Sequence, residues 1–397
     1  MPGNPAGEGM EFRLSEAQRL IRETARAFVD KEVIPHVKGW EEKGEIPRSV
    51  TTKMAELGFF GIPIPEAYGG AGLDYVSFAL VVEEIARGCN SLRTTLSVQT
   101  SLAGSTLLAF GSERQKEEIL APLARGEFLG AWALTEPDAG SDAANLRTTA
   151  KREGDEWVLN GAKQFISNGN VAEYVVVFAR EPGTTRNDGI SVFLVRQGTP
   201  GFQITNVETN TKLGLRASPT ADLAFDDCRI PADHLVGKEG DGWKTALHVL
   251  NHGRLGVAAG AVGIGQACLE LSLEHARERR AFDRPIGAFQ LIREMIAEMA
   301  VEVDAARLLY LKAAWLRDQN QDNRLAVSLA KLFGAQMAVR CADRAVQIHG
   351  GYGFSGEYPV ERHFRDAKIL GIYEGTNEIQ KMIIAHELLG DLRQEEA

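Results

Sequence analysis

The spacing of apolar residues changes period twice along the chain. From about residue 14 to 128 it is helical. Ser15 stands where a helix cap should, and Leu20, Ile21, Ala25, Phe28 and Val29 form the stripe behind it, which predicts a first helix ending before Pro35. Further helices are predicted over 50–57, 75–87, 93–110 and 113–123. From about 129 to 235 the period shortens. Trp157-Val158-Leu159-Asn160-Gly161 reads as a strand and a turn, and 174–179, 190–195, 202–204 and 221–225 are short apolar or β-branched runs. Asn168-Gly169-Asn170, Asn187-Asp188-Gly189 and Thr199-Pro200-Gly201 punctuate them as turns, so the region is mostly antiparallel β rather than a βαβ repeat.

From about 241 the helical period returns in longer elements. Leu291, Ile292, Met295, Ile296, Met299, Ala300 and Val303 make an i, i+3, i+4 stripe that continues to Tyr310 and Trp315, a helix of about thirty residues. The helix before it carries Gly253, Gly256, Gly260, Gly263 and Gly265. An interior glycine costs about 1 kcal/mol relative to alanine, so such a cluster implies close helix packing or close approach of a ligand. A third helix, 323–349, stops at Gly350-Gly351, and a fourth runs from near Thr376 to Gly390. Four such helices suggest an antiparallel bundle. The expected fold is α+β and multidomain: an all-α domain over 1–128, a middle antiparallel β domain over 129–240 and a C-terminal four-helix bundle over 241–397.

Composition narrows the function classes. Of 397 residues, 44% are hydrophobic and 25% charged, which excludes disordered and fibrous classes and leaves room for two or three cores. The formal charge of −10 argues against a general binder of nucleic acid or anionic membrane, so an anionic ligand needs a local basic site. Cys89, Cys228, Cys268 and Cys341 are scattered without metal spacing and read as reduced thiols. No continuous run of about 18 apolar residues occurs, and the first nine residues have neither signal-peptide nor transit character. The expectation is a cytoplasmic protein without a membrane span.

Five segments carry candidate chemistry. Trp132 to Asp142, containing Leu134, Thr135, Gly140 and Ser141, is a turn-rich loop whose hydroxyls and N–H groups suit a polar ring or a phosphate, or simply solvent. Lys163 to Gly169 places Phe165 two residues before Ser167, a ring and a hydroxyl at a strand end that suit a flat ligand, or a half-buried turn. Glu278 to Ile286, followed by Phe289-Gln290, sets Arg279 and Arg280 at a helix end, where they favour an anion or complement the helix dipole. Gln347 to Phe354 ends a helix on Gly350-Gly351, with His349 read as a packed or capping histidine and no partner set for a metal. Ile372 to Gln380 places Glu374 beside Gly375, just before a helix capped by Thr376 or Asn377; the carboxylate is either a general base or a dipole partner.

In this order and at these separations the segments resemble the acyl-CoA dehydrogenase family, over nearly the whole chain from about 14 to 390. The stretches 134–142 and 347–366 resemble that family's two signature segments. The second fits at Gln347, Gly350, Gly351, Gly353, Phe354, Glu357, Arg362 and Asp366, while Asn145 departs from the small residue usual after the first. The resemblance implies FAD between the last two domains and oxidation of an acyl-CoA thioester at its α,β carbons to the trans-2-enoyl-CoA. Glu374 matches the base. Trp132, Leu134, Thr135, Gly140, Ser141, Phe165 and Ser167 match the flavin lining, and Thr376 and Glu378 match residues beside FAD in the same subunit. Arg279, Phe282, Gln290, Gln347, Gly350 and Gly351 match positions that reach FAD from a neighbouring subunit. Ser141, Asn251, Arg254, Tyr373 and Gly375 match positions near the acyl-CoA.

The resemblance further implies a homotetramer, a dimer of dimers, and electron-transfer flavoprotein as the electron acceptor. Some family members place the base near 253, but Gly253 cannot serve. Arg93 lies in a Ser-Val-Gln-containing helix like that of glutaryl-CoA dehydrogenases, where an arginine meets a distal carboxylate; read bare it is an ordinary helix arginine, and Ala86 stands where that subfamily has an acid. The alternatives are thus a glutaryl-CoA-type dehydrogenase, an oxidase or monooxygenase of the same fold that uses O₂, and a silent CoA- or flavin-binding scaffold.

Overall fold

The computed structural model describes residues 13–390. The parts of the expected domains at 1–12 and 391–397 lie outside the described residues. Eight helices precede the sheet: α1 (Glu16–Phe28), α2 (Val37–Lys43), α3 (Arg48–Glu56), α4 (Tyr75–Gly88), α5 (Asn90–Ser97), α6 (Ser105–Phe110), α7 (Glu113–Gln115) and α8 (Ala121–Ala124). Ser15 caps α1 through a reciprocal pair with Gln18, and Asp74 caps α4. Helix α1 ends at Phe28, before Pro35 as the stripe predicts, although the helical path does not stop there. A π-type turn over Val29–Val33 and a tight turn over Ile34–His36 carry it on into α2, and Pro35 sits near the start of that turn, where its missing N–H costs little. A second π-type segment, Val98–Gly104, links α5 to α6.

The strands are β1 (Leu129–Ala133), β2 (Thr149–Glu153), β3 (Glu156–Ser167), β4 (Ala172–Arg180), β5 (Ile190–Arg196), β6 (Phe202–Glu208), β7 (Thr220–Pro231) and β8 (Leu235–Val236). Their order is β6-β7-β3-β2-β4-β5-β8, with β1 beside β4. Pairing is antiparallel except β1 with β4 and the single parallel pair Thr149–Arg180 that joins β2 to β4. The predicted turn at Asn160-Gly161 is instead mid-strand. Gly161, at φ +145°, marks an irregularity in pairing with β7, and a Cβ there would meet Thr148 at 2.6 Å. Trp157, Leu159, Val175, Val177, Phe193 and Phe225 form the core of this unit.

The C-terminal helices are α9 (Gly242–Glu278), α10 (Gln290–Asp318), α11 (Arg324–His349), α12 (Pro359–Ala367) and α13 (Asn377–Leu389), with the small hairpin β9 (Arg280–Ala281) and β10 (Arg284–Pro285) between α9 and α10. Helix α12 is additional to the four that the pattern predicts. The helices before and after the sheet share one apolar core, in which Phe28, Phe78 and Val82 join Val257, Ile264, Met299 and Met337. The glycines of α9 make this possible. A Cβ at Gly263 would lie 2.3 Å from the Glu83 carbonyl oxygen on α4, and one at Gly265 would lie 2.6 Å from Met337 Sδ on α11. Helix α9 and the stretch Arg324–Phe354 are long and apolar enough to cross a membrane by length and composition, which the absence of a continuous apolar run did not anticipate. Of the apolar window in α9, 83% is buried inside the protein, so its apolarity is used in the core.

Candidate active site

Glu374 sits in a turn between α12 and α13, at φ +53°, followed by Gly375 at φ +93°. A left-handed glutamate is uncommon and is held only where its surroundings impose it. Those surroundings come from four helices. Arg254 of α9 donates from Nε to the Glu374 carbonyl at 3.3 Å. Lys331 of α11 donates to the Gly375 carbonyl at 2.7 Å, and Gln380 of α13 donates to the same oxygen at 3.2 Å. Tyr373 hydrogen-bonds through its hydroxyl to the Arg93 guanidinium of α5. Thr376 caps α13, its hydroxyl accepting from the Ile379 N–H at 3.2 Å, so this hydroxyl serves the helix.

The Glu374 carboxyl points at the middle of α9. A Cβ on Gly253 would lie 1.9 Å from Glu374 Oε2, so the carboxyl occupies the space that a side chain at 253 would take. Oε2 is buried and has no hydrogen-bond partner. Burial pushes the acid up to about 7, and the charges of Arg93, Lys331 and Arg254 limit the rise. No protein acceptor meets the backbone N–H of Glu374 or of Gly375 among the described residues. Along the same side of α9, a Cβ on Gly253 would lie 2.9 Å from Leu102 and one on Gly256 would lie 3.1 Å from Ser97 Oγ; the buried hydroxyls of Ser97 and Ser101 are also unpartnered, and Val98, Leu102 and Val249 pack together. A buried polar atom without a partner is costly, and several aimed at one space mark a place for a ligand.

Arg93 is not an ordinary helix arginine. It is 1% exposed, donates from Nε to Asn90 at 2.9 Å and lies over the Tyr373 ring. A Cβ at Gly260 would touch its Nε at 2.9 Å. Asn251 uses its amide on Asn323 at 2.8 Å and leaves Oδ1 unpartnered.

The loop after β1 and the end of β3 meet. The Gln164 N–H donates to the Thr135 carbonyl at 2.9 Å, and buried Lys163 donates to the Leu134 carbonyl at 3.2 Å and to Glu136 at 2.7 Å. This sets Trp132, Leu134, Thr135, Phe165 and Ser167 along one edge. Phe165 is 57% exposed at φ +60°, and Trp132 has an unpartnered indole N–H. Gly140 and Ser141 are exposed in the same loop. An exposed ring, an unpartnered indole and a loop with room at Gly140 suit a flat, polar-edged group such as a flavin. Glu378 is exposed in the first turn of α13. Arg279, Gly350 and Gly351 line a different feature, an open cleft of about 580 Å³ with stacked His275 and His349 on its wall. Phe282 is 88% exposed on the nearby hairpin, and Gln290 and Gln347 are also exposed.

Three functional features are beyond the sequence reading. Lys331, the Lys163–Glu136 pair and Gln380 lie in no predicted role, although a lysine on the apolar face of α11 is a signal of the right kind.

Helices before and after the sheet with one common apolar core, and a sheet with a core of its own, frame this buried carboxyl. The chain belongs to the acyl-CoA dehydrogenase family: the patterns for the acyl-CoA dehydrogenase N-terminal, middle and C-terminal domains match residues 15–127, 131–228 and 240–389. It is 46% identical to a probable acyl-CoA dehydrogenase of Bacillus subtilis, over 96% of this chain and 100% of that one. It is 42% identical to the glutaryl-CoA dehydrogenase of Desulfococcus multivorans, over 96% and 98%. The structure of butyryl-CoA dehydrogenase from Megasphaera elsdenii superposes with a TM-score of 0.93 at 40% identity, covering 96% of this chain and 100% of that one. The protein is accordingly an enzyme that acts on CH–CH groups of acyl-CoA compounds.

Proposed function

We propose that the enzyme removes the α proton of a short acyl-CoA with Glu374 and delivers the trans-2-enoyl-CoA. The observation that carries the proposal is the buried, unpartnered Glu374 Oε2, facing the space left by Gly253. A general base works best with a pKa near the working pH, and burial brings this carboxyl to about 7. The α proton passes to Oε2. The negative charge that develops on the thioester oxygen needs donors, and the N–H groups of Glu374 and Gly375, which meet no protein acceptor among the described residues, are free to supply them. Arg254 and Lys331 hold the two following carbonyls, so the turn does not reorganise as charge moves.

FAD fits the residues present. Trp132, Leu134, Thr135, Gly140, Ser141, Phe165 and Ser167 would hold its ring, with Thr376 and Glu378 at the start of α13. The chemistry it supplies when bound is acceptance of a hydride from the β carbon, which with the α proton taken by Glu374 leaves the α,β double bond. Arg279, Phe282, Gln290, Gln347, Gly350 and Gly351 lie in or beside the separate open cleft, and the proposal gives them to the FAD of a second copy in a homotetramer, which accounts for an 88% exposed phenylalanine. Electron-transfer flavoprotein is the proposed acceptor and the cytoplasm the proposed location.

Anaerobic mixing with straight, branched and dicarboxylic acyl-CoAs tests the proposal. Flavin bleaching by butyryl-CoA is expected, with Glu374→Gln slower by about a thousandfold at full FAD content. Undiminished bleaching in that variant overturns the assignment, and fast reoxidation by air favours the oxidase reading. A glutaryl-CoA-type enzyme is the second reading. Buried Arg93, with only neutral hydrogen-bond partners, favours it, and preferential bleaching by glutaryl-CoA that Arg93→Met abolishes is its signature.

A further inference from the structure

Helix α11 buries a lysine with no carboxylate bonded to it. Lys331 is fully buried on the face that also carries Val327, Gly334 and Ala338, and its hydrogen bond among the described residues is the one to the Gly375 carbonyl at 2.7 Å. An ammonium removed from water without an ionic partner is destabilising unless something else requires it. A neutral donor alone could meet the Gly375 carbonyl: Gln380 shares that oxygen at 3.2 Å, beside the shorter bond from Lys331. What Lys331 adds is charge, beside the carboxyl of the preceding residue. The arrangement is paired. Arg254 grips the carbonyl of Glu374 from α9, Lys331 grips the carbonyl of Gly375 from α11, and both gripped residues have positive φ.

We propose that Lys331 is a positioning residue for proton abstraction: through the Gly375 carbonyl it holds the 374–375 turn so that the carboxyl faces Gly253, and its charge favours the carboxylate form. This rests on the reading of Glu374 as the base. The charged and titratable groups around the turn are Arg93 of α5, Arg254 of α9, Lys331 of α11, Asp366 of α12, Glu378 of α13 and Tyr373 on the turn itself. Burial lowers Lys331 to about 8, opposed chiefly by Glu374, so near pH 7 it is mostly the ammonium. Loss of its charge raises the carboxyl, since among the three cations it opposes protonation of Glu374.

The test uses the FAD-loaded enzyme with Lys331→Met, Lys331→Gln and Lys331→Arg. Two quantities are read across the neutral pH range: the rate of anaerobic flavin bleaching by butyryl-CoA, and the infrared band of the protonated Glu374 carboxyl, identified by its loss in Glu374→Gln. Lys331→Met should slow bleaching by about ten- to a hundredfold. Its carboxyl band should titrate about one pH unit higher. Lys331→Gln, a donor without charge, should recover part of the rate and none of the shift, and Lys331→Arg should recover part of both. A Met variant with the wild-type band titration and rate overturns the inference. If the Met variant does not fold, the Arg and Gln variants decide it, and identical carboxyl titrations in those two overturn it. The outcomes separate from the parent reading: full activity in Glu374→Gln defeats the base, whereas the band titration judges Lys331 whether or not Glu374 is the base.

Discussion

Two buried meetings of cation and carboxylate in this molecule are built oppositely. In the sheet, Glu136 is bonded by Lys163 and by the backbone N–H groups of Arg147 and Thr148. Burial works to raise this carboxyl, but the Lys163 charge and the donors outweigh it and hold it below the ordinary value. At the other site Glu374 lies near three cations, Arg93, Lys331 and Arg254, none of which bonds its carboxyl, and burial drives it up. The first carboxylate is finished and serves to lock the loop after β1 onto β3. The second is left incomplete, its free oxygen in the space left at Gly253. Charge nearby is common to both; satisfaction of the oxygen atoms separates them, and the unsatisfied acid is the one proposed to react.

The largest effect that would sharpen this contrast is in the sheet. Lys163→Met strands a buried carboxylate, and breaking such a pair costs about 3–5 kcal/mol. A lowered thermal midpoint at fixed protein and FAD concentration is expected, with most of it regained in the double variant Lys163→Met, Glu136→Leu. A midpoint unchanged in the single variant would mean that the pair is not the lock.

The Glu374 site should respond with the opposite sign. Its carboxyl is raised from 4.5 to about 7, so the native state holds a proton that the unfolded chain has released between those values. The associated stability is fully present below about 4.5 and is lost as pH rises through about 7. Glu374→Gln removes the charge that causes the loss. The variant should therefore match the wild type in acid and exceed it by up to about 3 kcal/mol above neutrality, read as the difference in unfolding free energy against pH. A difference that does not grow with pH would place Glu374 with Glu136, as a satisfied acid.

Much of this was legible beforehand, and the exceptions have physical causes. Periodicity located the long helices and the sheet, because burial of one face repeats along an element. It placed the end of the first helix before Pro35, as found, but not the π-type and tight turns that carry the chain on into α2, because these irregular turns leave no apolar period of their own. It read Asn160-Gly161 as a turn, since a mid-strand irregularity against Thr148 uses the same residues as a turn does. The string around Glu374 left it open as a base or a dipole partner, and only the family resemblance singled it out as the base. Lys331 was not visible, because its partner is a backbone carbonyl 44 residues away, and a backbone atom leaves no mark in a sequence. Arg93 was ambiguous for a related reason: only the fold brings α5 to Tyr373.

Gly253 allows the contrast to be probed most finely, with the smallest expected change in stability. The clash of an added Cβ is with the end of a flexible side chain, Oε2 at 1.9 Å, and with Leu102 at 2.9 Å, so both neighbours can yield. Gly253→Ala should therefore cost only about 1 kcal/mol in stability, partly offset by the helix preference of alanine. The carboxyl, however, has to swing off the position it holds beside Gly253, and misplacing a reacting group by about 1 Å can cost about a hundredfold in rate. A near-normal thermal midpoint with butyryl-CoA bleaching slowed by about ten- to a hundredfold is the expected pair of results. Equal losses in both would mean that glycine at 253 serves helix packing, and an unchanged rate would mean that the carboxyl reacts from somewhere else.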